Sequence, residues 1–120
     1  MRQAFAHEAV LLMAPDADTQ APGAAITVGL CGHWEHEPPC PLAPHHTRAD
    51  RSDGGEVRLR ILFAAEPDLE DTVRQRIDLA LSRGQLPGPE GAHTRWQLRI
   101  SRRSEVAPEE TSHATRLACG

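Results

Sequence analysis

The chain has 120 residues, a formal net charge of −4 and 39% hydrophobic residues, which fits one small domain and argues against disorder throughout. Only 23 residues are Leu, Ile, Val or Phe, so the core is small and would gain from a staple such as a metal, a disulfide or a partner subunit. No apolar run approaches the ~20 residues of a membrane span. No signal-peptide pattern opens the chain, and three cysteines fit a reducing compartment, so the expectation is a cytoplasmic protein with no membrane partner.

Residues 8–14 form a short apolar run whose length suits a strand. Residues 15–25 carry the Pro, Gly and Asp of a loop. In residues 26–35, Ile26, Val28, Leu30 and Trp34 alternate with Thr27, Gly29, Cys31, His33 and Glu35, which predicts a second strand ended by Pro38 and Pro39. Residues 36–55 then read as a long Pro- and His-rich loop, unusual in so small a domain unless something holds it.

The clearest strand is 56–65, with Val57, Leu59, Ile61 and Phe63 on one face. The clearest helix is 67–83. Pro67 suits its first turn, Asp68, Glu70 and Asp71 complement its dipole, and Leu69, Val73, Ile77, Ala80 and Leu81 make one apolar stripe. Gly84 fits a C-terminal cap. Residues 85–93 read as a turn, and 94–101 as a strand that alternates Trp96, Leu98 and Ile100 with Arg95, Gln97 and Arg99. Residues 104–120 lack periodicity and read as a flexible tail after a single α+β domain spanning 1–103. The predicted architecture is a small two-layer α+β sandwich. It has a mixed sheet of about four strands, in the order β-β-loop-β-α-β, with one helix on one face.

Six potential metal ligands fall within 16 residues: Cys31, His33, His36, Cys40, His45 and His46. Thiolate and imidazole are preferred ligands of Zn²⁺, and iron and copper accept them too. On a strand, Cys31 and His33 share a side and can chelate one ion. His36 and Cys40 would complete a structural zinc site, with His45 and His46 as substitutes. The spacing matches no standard zinc-finger pattern. A Cys31–Cys40 disulfide is one alternative. Another is an open three-His metal site on His33, His36 and His45 or His46, with Glu35 or Glu37 as base and no catalytic residue marked out.

All 13 basic residues are Arg, and Arg58, Arg60, Arg95 and Arg99 share the outward parity of their strands. Such a face could bind an anion. Nucleic acid is disfavoured, because Tyr is absent and Phe63, Trp34 and Trp96 have inward parity, leaving no aromatic platform for bases. His7, His93 and His113 read as isolated surface histidines. The expectation is therefore a small protein binding one transition metal. An interaction module or homo-oligomeric accessory protein that uses the arginine face is the alternative.

Overall fold

The computed structural model describes residues 2–31, 45–87 and 93–119. Among these residues, five strands form one sheet in the order β2-β3-β1-β5-β4: β1 (Gln3–Met13), β2 (His45–Arg51), β3 (Glu56–Ala65), β4 (Gln85–Pro87) and β5 (His93–Ser104). Three helices accompany it: α1 (Ala21–Cys31), α2 (Glu70–Ser82) and α3 (Thr111–Cys119). The class is α+β, as expected. The detail differs among the described residues, with five strands in place of four, three α-helices in place of one, and every hydrogen-bonded strand pair antiparallel.

The expected β-α-β unit is split. Strands β3 and β5 flank α2 in sequence, but β1 lies between them in the sheet and pairs antiparallel with both. This makes β1 the central strand. Its residues Ala9, Leu11 and Met13 share one face with Val57, Leu59, Ile61 and Phe63 of β3 and with Trp96. That face is covered by Ile26 and Leu30 of α1 and by Val73, Ile77 and Leu81 of α2. Complete burial of a side chain of this size contributes ~1.5–3 kcal/mol, so this layer holds the fold together.

Residues 21–31 are helical, where a loop to residue 25 and a strand from Ile26 were expected. The i, i+4 pair Ile26–Leu30 suits a helix as well as it suits alternation, so the β-branched residues do not decide the matter. Upstream, Ala24 and Ala25 favour a helix, and Pro22 stands in the first turn, where its missing N–H costs nothing. Gly29 lets α1 approach α2 closely, since a Cβ there would stand 3.2 Å from that of Ala80.

Strand β2 lies within the expected loop at 36–55. It is an edge strand of sequence HHTRADR and gains its form from pairing with β3 rather than from an apolar pattern of its own. Residues 111–119, expected to belong to a tail, form α3 on the sheet's second face. There Ala114 is buried, as are Ala6, Leu62 and Ala64 of the strands beneath. Strand β3 and the end of the central helix match their expected positions.

Gly84 closes α2 in the left-handed region at φ 69°. Its N–H donates to Leu81 O, and its carbonyl accepts from the N–H of Trp96, so it joins the helix to β5. A Cβ there would lie 2.9 Å from the carbonyl oxygen of Trp96. Gly84→Ala is therefore expected to lower stability by ~1–3 kcal/mol, read as a lower denaturation midpoint with an unchanged denaturant slope. A variant as stable as the parent would show that this joint tolerates rearrangement.

Candidate functional site

Three arrangements of polar side chains stand out. The first is a buried cluster between β1, α2 and β5. His7 is 2% exposed and Arg74 8%, which corrects the reading of His7 as a surface residue. Arg74 NH1 donates to the carbonyl of Ala6 at 2.7 Å and lies 3.0 Å from His7 Nδ1, while its Nε donates to Glu70 at 2.8 Å. The guanidinium stacks over Phe63, with Cζ 5.2 Å from the ring centre.

A guanidinium only donates, so His7 Nδ1 must accept and Nε2 carries the proton. Nε2–H then donates to Ser101 Oγ at 2.8 Å, and the Ser101 hydroxyl donates to Asp78. The order of groups is the reverse of what a serine nucleophile needs. The imidazole nitrogen facing the hydroxyl is already protonated, and the carboxylate takes the hydroxyl proton directly. Burial, the largest influence, lowers the His7 pKa; Asp78 opposes it and Arg74 adds to it. The cluster is a structural polar core between helix and sheet.

The second arrangement anchors α3. Arg60 donates to Glu110 at 2.7 Å and to Glu8 at 2.9 Å, and also reaches Ser104 Oγ and the carbonyl of Glu105. Its pKa is raised and that of Glu110 is lowered to about 2, each chiefly through the hydrogen bonds that join the two. Glu110 also accepts the N–H of Ala107 ahead of the helical turn. Nearby, His46 of β2 packs against His113 of α3 with ring centres 4.6 Å apart. Burial, His113 and Arg48 together depress the His46 pKa.

The third arrangement is the part of the second sheet face that α3 leaves uncovered. Val10 and Leu12 of β1 are half-buried there, and Ile100 of β5 is 46% exposed. A hollow of about 370 Å³ runs past Val10 and Ile100, bordered by Arg48, Arg58, Arg60 and Arg102 and by the carboxylates of Glu8, Asp50 and Glu56. A neighbouring hollow of about 480 Å³ adds Leu12 and Arg99 and shares Glu56 with the first. The sheet irregularity that brings Arg99 here is a bulge: Val10 pairs with Ile100 but Leu11 pairs with Leu98, leaving Arg99 as the extra residue.

The arginines of this face differ in their engagements. Arg102 pairs with Glu8 at 3.1 Å and Arg48 with Asp50 at 3.2 Å. Arg58 and Arg99 make no ion pair with the described residues. Of the four arginines expected to form an anion site, Arg58 and Arg99 thus border adjoining hollows, and Arg60 is committed to α3. Arg95 stands apart beside Gln85 and Trp96 at the β4 end. Phe63 and Trp96 are buried, as their parity requires, and no described aromatic lies on this face.

The metal site expected from the sequence is not found: no group of three or more His, Cys, Asp or Glu among the described residues could hold an ion. The geometry explains why. Cys31 ends a helix, so the strand argument for chelation with His33 fails. His45 and His46 diverge to opposite faces of β2, His45 toward Thr27 of α1 at 3.0 Å and His46 toward α3. His33, His36 and Cys40 lie outside the described residues.

Between α1 and α2 runs a further groove of about 540 Å³, lined by Val28, Gln75, Leu79 and Leu86 among others, with no nucleophile beside a base. No helix among the described residues is long and apolar enough to cross a membrane. Compared with what is known, the chain matches no family model, no curated protein and no solved structure.

Proposed function

We propose that the chain is an interaction module whose binding surface is the uncovered part of the second sheet face. The observation that carries this reading is the pairing of exposed Ile100, with Val10 and Leu12 beside it, to two arginines, Arg58 and Arg99, that no described carboxylate engages. Apolar area flanked by two cations without an ion-pair partner among the described residues, with Glu56 as the one carboxylate bordering both hollows, suits a protein segment that carries both aliphatic and acidic side chains. The aliphatics would cover Val10 and Ile100, and the carboxylates would meet Arg58 and Arg99. The absence of an aromatic among the described residues of this face favours a peptide over stacked bases.

The test is selection of peptides from a random display library on the immobilised full chain. Peptides rich in Asp or Glu with Leu, Ile or Val are expected, and Arg58→Glu or Ile100→Glu should weaken them by at least about tenfold, equivalent to 1.4 kcal/mol. Arg95→Glu, away from the hollows, should leave binding unchanged. Selected peptides that bind both face variants as well as the parent would refute the assignment.

A further inference from the structure

Strand β2 is one edge of the sheet, and its outer side has no strand partner among the described residues. We propose that it pairs with the same strand of a second copy of the chain, antiparallel and with the two-fold axis at Ala49, to make one continuous ten-stranded sheet. This inference stands on the edge strand and is independent of the peptide-binding reading.

The backbone fixes which groups are available. Ser52 N–H donates to the carbonyl of Glu56 at 2.8 Å, so the even-numbered residues of β2 point their hydrogen-bonding groups at β3. In an antiparallel ladder the alternate residues point the other way. Thr47, Ala49 and Arg51 therefore present their N–H and C=O groups outward. An axis at Ala49 matches Ala49 with the partner's Ala49 and Thr47 with the partner's Arg51, giving about six backbone hydrogen bonds.

The side chains select the same register. It sets Arg48 against the partner's Asp50, and Asp50 against the partner's Arg48, at non-hydrogen-bonded positions where side chains approach most closely. A shift of one step opposes Arg48 to the partner's Arg48; a shift the other way opposes Asp50 to the partner's Asp50. Within one chain, Arg48 lies directly across from Arg60, a like-charge pair. Arg48 Nε already donates to its own Asp50 at 3.2 Å, and the partner's Asp50 adds a second carboxylate on the side away from Arg60. Along the assembled sheet, one row of charges runs from Glu8 through Arg60 and Arg48 to the partner's Asp50 and then the partner's Arg58.

The two ends of the sheet differ in the way an intended interface requires. β4 is three residues long and ends in Pro87, and β5 bulges at Arg99, both features that discourage pairing. β2 runs for seven residues with neither Pro nor Gly.

Sedimentation velocity on the full chain from low micromolar to millimolar concentration tests the proposal. A dimer mass is expected. Ala49→Pro, which removes an outward N–H and spares the pairing with β3, should weaken dimerisation at least tenfold. Arg48→Asp should do the same by opposing it to the partner's Asp50, and adding Asp50→Arg should restore the dimer. Circular dichroism checks that each variant is folded; if Ala49→Pro is not, the charge reversal and its rescue still decide. A monomer throughout the range, or a dimer unmoved by the charge reversal, would overturn the proposal.

Discussion

Replacing Arg74 with alanine is expected to destabilise the fold by ~3–5 kcal/mol, because it strands several buried partners at once. The side chain is 9% exposed and neutralises Glu70, whose own side chain is 22% exposed. It also supplies the hydrogen on the Ala6 carbonyl and on His7 Nδ1. Loss of stacking over Phe63 adds to the cost. The measurement is chemical denaturation of the variant and the parent. A loss below about 1 kcal/mol would mean that water reaches and satisfies these groups.

The same substitution has a pH signature through His7. Its pKa in the folded chain lies below the ordinary 6.5, chiefly because burial disfavours the imidazolium, with Arg74 adding repulsion against the opposing Asp78. Below pH 6.5 the unfolded chain takes up a proton that the folded chain resists. Stability from this group is complete above 6.5 and declines as pH falls through the depressed folded value. Arg74→Ala removes one of the three depressing influences, leaving burial and Arg103, so the decline from about pH 7.5 to about pH 5.5 should be shallower than in the parent. An equal or steeper decline would show that Arg74 does not act on the imidazole as the geometry implies.

The cluster also shows what was legible in the sequence. The strand at 56–65 and the helix before Gly84 could be read because period and burial coincide: alternate residues of β3 and the Val73–Ile77–Leu81 stripe all face one core. His7, Arg74, Asp78 and Ser101 lie far apart along the chain and have no spacing rule to join them. A signal did exist at position 7. His7 continues the alternation of Ala9, Leu11 and Met13, so a β1 extended to Gln3 places it on the buried face. Strand β2 was harder to see because an edge strand with polar residues on both faces has no apolar period. The cysteine and histidine cluster misled because its geometry assumed a strand where Pro22 and the alanines after it start a helix. The arginines were legible as a face, but parity alone could not show that Arg60 is consumed by Glu110, a residue fifty positions away.

That ion pair leads to the second large effect. Glu110→Gln is expected to cost ~2–3 kcal/mol and to loosen α3 selectively, because it removes the charge that Arg60 grips from the helical turn preceding α3. Arg60 is 14% exposed and Glu110 11%, so neither charge is well served by water once the other is lost. Hydrogen exchange should show amides of α3 losing protection while those of β3 and α2 keep theirs, since the core on the first face does not depend on α3. Acid gives the same result by another route. The carboxyl of Glu110 ionises at about 2 in the folded chain against an ordinary 4.5, chiefly through its hydrogen bonds with Arg60. That difference corresponds to ~3 kcal/mol, present above pH 4.5 and lost as pH falls toward 2. Glu110→Gln has no carboxyl to protonate, so its stability should fall less between those pH values than the parent's. If the parent and Glu110→Gln lose stability equally from pH 4.5 to about 2, Arg60 does not hold Glu110 ionised, and α3 is held by the packing of Ala114 against the sheet.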